Sequence, residues 1–246
     1  MKLSRNIHAF IAVGLLSAVL FACEKEMKLS LPVETDLSGK ALIKVYSATL
    51  NASRNYVYVD KIPVTGAALV YGGLFPSVSY YSAINAGSRT VDIKDTLVTT
   101  TQNALTFTST FVAGSHYTIF TYDTVTNTKH LVVKDNIQVP TDTTARLRFA
   151  NLIYSKVAAP NVDIYSAKRK ENIFTNVATA AVTDFIPFAT DISDTLFVRA
   201  TGTVINLTQL NSVLPREKRS YTVVFRGVYQ LTTGTNTRAL VNFTNY

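Results

Sequence analysis

The sequence predicts an all-β protein: two tandem immunoglobulin-like β-sandwich domains behind an N-terminal export signal. Three observations carry this. Thr, Val, Tyr and Phe are abundant, charged residues are only 16% and Trp is absent, a balance that favours pleated, half-buried strands. No long stretch shows helical periodicity. Blocks of sequence recur in the same order about 104 residues apart, which marks an internal duplication.

The chain opens Met1-Lys2-Leu3-Ser4-Arg5, with two positive charges, and continues into an apolar run over residues 7–21 interrupted by His8, Gly14 and Ser17. That run falls short of the roughly 20 apolar residues a membrane-spanning helix needs. A basic start, a short apolar centre and small residues at the end describe a secretory signal. The run ends Leu20-Phe21-Ala22-Cys23, which resembles a bacterial lipobox. The resemblance implies cleavage between Ala22 and Cys23 and a diacylglyceryl group on the Cys23 thiol. Phe21 departs from the small or β-branched residues commoner at its position. Cys23 is the only cysteine, so no intramolecular disulfide forms, and lipidation accounts for the lone thiol. Two acyl chains on one residue anchor a protein firmly.

Residues 1–22 are thus expected to be a lipoprotein signal peptide and residues 23–38 an acylated tether. Glu24-Lys25-Glu26 within the tether partly resembles the surface-export signal of Bacteroidota lipoproteins; it reads equally as a polar spacer. The expected location is the outer membrane, lipid-anchored, with the cell surface as one of its two sides. Net charge is +8, and loss of Lys2 and Arg5 with the signal brings it to about +6. This excess suits acidic glycans or lipid headgroups; nucleic acid is not an expected partner of an exported lipoprotein. The clusters Lys168-Arg169-Lys170 and Arg216-Glu217-Lys218-Arg219 fall between strand-like runs and read as loop tips.

Two domains are expected, at 39–139 and 140–246. Ala41-Leu42-Ile43-Lys44-Val45 matches Ala145-Arg146-Leu147-Arg148-Phe149, and His116-Tyr117-Thr118-Ile119-Phe120 matches Ser220-Tyr221-Thr222-Val223-Val224, both at an offset of 104. Asn55-Tyr56-Val57-Tyr58-Val59 matches Asn161-Val162-Asp163-Ile164-Tyr165, and Asn127-Thr128-Lys129-His130-Leu131-Val132 matches Asn236-Thr237-Arg238-Ala239-Leu240-Val241. In the first repeat the expected strands are 41–47, 56–61, 68–71, 77–84, 89–93, 105–111, 116–122 and 130–134. Many alternate apolar and polar residues, which buries one sheet face and leaves the other wet. Turn formers such as Ala113-Gly114-Ser115 separate them. Short strands at this spacing suggest a sandwich in each repeat. Pro140 stiffens the seam between them, so limited hinging is expected.

Ala159-Pro160-Asn161-Val162-Asp163-Ile164-Tyr165 resembles the Ala-Pro-x-Val-Asp-Val-Tyr block of the domain-of-unknown-function 4397 family of exported bacterial proteins. Arg146-Leu147-Arg148-Phe149 resembles its opening strand. Tyr117-Thr118-Ile119-Phe120 and Tyr221-Thr222-Val223-Val224 resemble its late Tyr-Thr-Val strand. The resemblance covers both repeats and is clearer in the second; the first departs at 55–60. It implies tandem immunoglobulin-like sandwiches in a Bacteroidota lipoprotein, and it carries no reaction and no catalytic residues.

Little else points to chemistry. Beyond residue 22 the only histidines are His116 and His130, too few for a structural zinc site, and no cofactor or metal is expected. Ser115 and His116 are adjacent on a strand and point to opposite faces, a poor start for nucleophilic catalysis. Tyr71-Gly72-Gly73-Leu74 lacks the Lys and helix of a phosphate loop. Asp60, Asp92, Asp163, Asp184, Asp191 and Asp194 are the carboxylates from which a glycosidase pair would be drawn. Tyr56, Tyr58, Tyr80 and Tyr81 are candidate ligand-binding residues, since exposed aromatics stack on sugars; core packing is the competing reading. Thr96, Thr124, Thr143 and Thr195 each follow an Asp and precede Leu, Val or Thr, resembling the acceptor of Bacteroidota O-glycosylation, while Asp-initiated turns explain each triplet individually.

The expected function is a non-enzymatic, surface-exposed binding, adhesion or envelope-scaffold module with a glycan or outer-membrane protein as partner. The alternatives are an accessory subunit of an outer-membrane uptake or secretion assembly and, more remotely, a glycoside hydrolase.

Overall fold

The computed structural model describes residues 36–246. Cys23, the lipobox, Glu24-Lys25-Glu26 and the tether as far as residue 35 lie outside the described residues. Nine strands form the first half: β1 (Lys40–Ser47), β2 (Asn55–Val59), β3 (Ile62–Pro63), β4 (Leu74–Phe75), β5 (Ser82–Asn85), β6 (Gly87–Asp95), β7 (Leu105–Phe111), β8 (His116–Tyr122) and β9 (Lys129–Asp135). Nine more form the second: β10 (Ala145–Asn151), β11 (Val162–Ser166), β12 (Glu171–Val177), β13 (Ala181–Val182), β14 (Ile186–Phe188), β15 (Asp194–Ala200), β16 (Asn206–Val213), β17 (Ser220–Arg226) and β18 (Ala239–Thr244).

Each half is a two-sheet sandwich with the same wiring. In the first, β4-β1-β8-β9, with β5 also on β1, faces β3-β2-β6-β7; in the second, β13-β10-β17-β18, with β14 also on β10, faces β12-β11-β15-β16. The sheets are antiparallel except for β1 with β8 and β10 with β17, which run parallel. Alternation explains the layering. Ala41, Ile43 and Val45 of β1 enter one core with Val57, Val91, Ile93 and Ile119. Leu147 and Phe149 of β10 enter a second with Ile164, Leu196, Val198 and Val223.

The intervening residues of these inner strands do not face water. Tyr46, Phe120, Ala150, Leu152, Val224 and Phe243 form a third buried cluster. The two inner sheets therefore pack on each other, and residues 36–246 form one compact unit. The β1 to β10 and β8 to β17 matches hold in phase at 104. The other two blocks slip by a residue. Leu131 faces the third cluster whereas Leu240, its match by sequence, enters the second core. Val57 is a core residue whereas Asp163, its match, lies on the opposite face from core Val162 and Ile164. A one-residue slip exchanges the two faces of a strand, so the corresponding positions are shifted by one.

Each sandwich also carries a tyrosine corner, the tie of a strand-start tyrosine to backbone upstream that immunoglobulin-like sandwiches share. Val112 N–H donates to Tyr117 Oη at 2.9 Å and Arg216 N–H to Tyr221 Oη at 3.1 Å. These are the tyrosines of the two Tyr-Thr-Val/Ile strands, again 104 apart.

Candidate functional site

The outer sheet β3-β2-β6-β7 puts Val57 and Val59 into the core and turns Tyr56 and Tyr58 outward, both half-buried. Tyr56 stands opposite Lys94 of β6, and Tyr58 opposite Asp92 and Pro63. Lys94 Nζ lies 4.8 Å from the centre of the Tyr58 ring, within reach of a cation–π attraction. Exposed Thr106, Thr108 and Thr110 continue this face on β7. Two aromatic rings, a cation and a row of hydroxyls thus share one solvent face. Core packing is not the role of these two tyrosines.

The other two sequence candidates lie elsewhere. Tyr80 is 74% exposed in the segment before β5. Tyr81 is turned inward: its Oη donates to Asp135 Oδ2 at 2.8 Å and accepts from Asn245 Nδ2 at 3.3 Å. Its ring meets the His116 ring edge-on at 4.8 Å.

Tyr81 belongs to a polar network between the inner sheets. Arg148 Nη1 donates to Asp135 Oδ1 at 2.6 Å, with side chains 2% and 0% exposed. Arg148 also donates to Thr222 Oγ1 at 2.8 Å and Thr118 Oγ1 at 3.1 Å, and Thr118 Oγ1 donates to Asp135 Oδ2 at 2.5 Å. The guanidinium lies against the Phe185 ring, 4.6 Å from its centre. Lys44, the repeat-mate of Arg148, reaches the other way. Its Nζ donates to Val78 O at 2.7 Å and Thr244 O at 3.2 Å. Contacts are reciprocal: the β10 cation meets β9 of the first sandwich, and the β1 cation meets β18 of the second. That is the pattern of an isologous two-fold interface, built within one chain. The two ends differ in charge. Where Asp135 accepts from Thr118, Asn245 accepts from Thr222. Burial accordingly holds Lys44 down at about 8, with the Asp135 charge opposing the shift.

The second outer face was not anticipated from sequence. Tyr165 and Phe197 are cross-strand partners on β11 and β15. The Arg199 guanidinium sits 3.7 Å from the centre of the Tyr165 ring and donates to Asn206 Oδ1 at 2.8 Å. The signal was present in the alternation of Val162-Asp163-Ile164-Tyr165, whose outward residues are Asp163 and Tyr165.

The aspartates are mostly committed to local structure. Asp163 accepts from Asn176 N–H, Thr201 Oγ1 and Asn172 Nδ2, which secures the irregular pairing of β11 with β12. Asp194 accepts from Ser166 Oγ and from the Lys168 and Thr195 N–H groups, and Asp92 from Thr106 Oγ1. The Thr90 N–H, with Arg89, holds Asp60 below the usual carboxylate range, the opposite of what a general acid needs. Asp184 and Asp191 are exposed in loops. Among the described residues no group of three His, Cys, Asp or Glu converges on a metal-sized site.

In all four Asp-Thr triplets the Asp accepts from a following N–H, as turns require: Asp95 from Leu97, Asp123 from Thr124, Asp142 from Thr144 and Asp194 from Thr195. Thr96 and Thr143 are exposed, while Thr124 and Thr195 are half-buried. Both basic clusters occupy turns, before β12 and before β17.

No curated protein matches this chain. Residues 41–165 match the family model described as a domain of unknown function, DUF4397. The match takes in the whole first sandwich and continues through β10 into β11, ending on Tyr165 of the Ala-Pro-x-Val-Asp-Ile-Tyr block. It covers half of the chain, which belongs to the DUF4397 family.

Proposed function

We propose that this protein is a non-enzymatic binding module of the bacterial envelope, held to the outer membrane by lipid on Cys23 and engaging glycans through the outer face of its first sandwich. The observation that carries the reading is the pair Tyr56 and Tyr58, turned outward beside Lys94 and the β7 threonines. Aromatic rings bury much apolar area on a sugar at small entropic cost, and a cation beside them favours acidic sugars. The lipobox, the lone cysteine and the polar tether support the anchor. The common wiring of the halves supports a tandem pair of family domains, an arrangement fitting a Bacteroidota lipoprotein.

A glycan array probed with the full chain tests the binding face. The expected result is a defined set of acidic glycans bound by wild type and lost in Tyr56→Ala/Tyr58→Ala; identical patterns for both proteins would remove this face from the account. The anchor is tested separately. Cys23→Ala should leave the membrane fraction on alkaline washing, and its retention there would refute lipidation.

A second reading, an accessory subunit of an outer-membrane assembly, rests on the exposed apolar loop tips Val98, Val204 and Ile205. Surface of this kind marks contact sites when it is contiguous. Pull-down from detergent-solubilised membranes should recover a stoichiometric membrane partner if this reading is right.

A further inference from the structure

A cavity of about 370 Å³ opens where the first sandwich's β4–β5 segment meets β18 of the second. Its walls include Leu74, Val78, Val241 and Phe243, and its floor is shaped by Tyr46, Gly72 and Arg226. The size lies within the range of small-molecule sites. Three features of its polar side stand out.

The first is an unneutralised cation. Among the described residues no carboxylate forms an ion pair with Arg226, while the other inward-reaching arginine, Arg148, has Asp135. The position that corresponds to Arg226 in the first repeat is Tyr122, and beside it Lys129 is paired with Asp123 at 2.9 Å. Lys44, which also has no carboxylate partner, is taken up by the carbonyls of Val78 and Thr244; among the described residues neither a carboxylate nor a carbonyl accepts from the Arg226 guanidinium.

The second is a set of buried polar atoms served only by one another. Tyr46 Oη, Tyr71 Oη and Arg226 Nε make no well-formed hydrogen bond. The guanidinium lies within hydrogen-bonding reach of both phenols, and neither phenol proton has an acceptor. Tyr46 is only 3% exposed. Leaving such groups unsatisfied costs about 1–3 kcal/mol each, and native proteins rarely keep several together without a ligand or ion to serve them.

The third is that the guanidinium is held in place. Its centre lies 4.3 Å from the middle of the Tyr71 ring. Gly72, in the left-handed conformation at φ +79°, lets it approach so closely that a β-carbon there would stand 3.0 Å from the guanidinium. A pre-organised planar fork flanked by two hydroxyl donors is the arrangement that binds an oxyanion.

From this geometry we infer that Arg226 and Tyr46 in the cavity wall, with Tyr71 against the guanidinium, form a binding site for a small oxyanion, a carboxylate or a phosphate group, between the sandwiches. The anion neutralises Arg226 and gives each phenol proton an acceptor. The flanking apolar walls accept the body of the ligand that carries the group. The site is independent of the Tyr56/Tyr58 face and stands or falls without it.

The test is calorimetric titration of the full chain in detergent with inorganic phosphate and, separately, with glucuronate. Saturable binding of one equivalent is expected for at least one probe. Preference for glucuronate assigns a carboxylate ligand, and preference for phosphate assigns a phosphate-type ligand. Arg226→Gln should abolish binding. Tyr46→Phe and Tyr71→Phe delete only hydroxyls whose one partner is Arg226, so they should fold as wild type yet weaken binding roughly five- to tenfold each. Arg226→Lys keeps the charge without the fork and should weaken it about tenfold. Absence of saturable binding of either probe overturns the assignment. So does unchanged affinity in Arg226→Gln, or in both phenylalanine variants.

Discussion

At the scale of single residues, the repeat shows which side chains answer to backbone and which to partners. Asp123 and Gly227 are 104 apart and both have positive φ, +76° and +100°. Asp tolerates the left-handed region because its carboxylate bonds locally, here to Thr124 N–H. Gly227 has a further constraint, since a β-carbon would stand 2.2 Å from Thr237 O. Gly227→Ala should therefore lower stability by about 2–4 kcal/mol, whereas Asp123→Gly should cost about 1 kcal/mol or less; urea midpoints of the two variants check the contrast. Lys44 makes a different prediction. Its folded pKa, about 8, lies below the ordinary lysine value of 10.5, so between these values the unfolded chain binds more protons. Stability should then rise with pH from about 8 toward 10. Above that, Tyr81 and Tyr46, whose ionisation burial pushes upward, turn the trend over. Thermal midpoints across this range should rise for wild type and lose that rise in Lys44→Met.

At the scale of elements, the tyrosine corners tie the loops before β8 and β17 to the strands they feed. Tyr117→Phe and Tyr221→Phe each leave a backbone N–H without its acceptor and should each cost about 1 kcal/mol, measured by urea denaturation. Strand existence was largely legible in the sequence: β1, β7 and β8 lie within a residue of the expected 41–47, 105–111 and 116–122. Two expected strands fared otherwise. Residues 68–71 contribute only the bridge from Leu69 to Asn55, and 77–84 yields only β5. Both are apolar or aromatic enough for strands, but they form the short edge of the sandwich, where pairing depends on tertiary neighbours. The register slips have a similar cause. Alternating Asn55-Tyr56-Val57-Tyr58-Val59 fits either face by composition, since tyrosine packs inside or stands in water. Only the ladder to β6 decides, and it puts the tyrosines outside. Charge carried a signal that alternation alone hid: Lys44 and Arg148 occupy equivalent positions in the middle of their strands, each between core residues, which marks a second buried face. Nothing local announced Arg226, because its meaning comes from Tyr71, Gly72 and a cavity formed across the two halves.

At the scale of the whole molecule, two repeats expected to be joined at a stiff seam are one body packed across a buried interface. The linker's Pro140 is itself buried, and the joint depends on side chains of β1, β8, β10, β17 and β18 more than on the linker. Removing one member of the buried pair leaves an uncompensated charge, so Arg148→Met or Asp135→Leu alone should cost about 3–5 kcal/mol. The double variant should recover much of that, because no charge is then stranded, and a double-mutant cycle in urea measures the coupling. For function, the consequence is that the Tyr56/Tyr58 face, the Tyr165/Phe197 face and the Arg226 cavity are held in fixed relation. Differential scanning calorimetry of the full chain tests this unity most directly. The account predicts one transition whose calorimetric and van't Hoff enthalpies agree. Two transitions of comparable size, one for each sandwich, would contradict it.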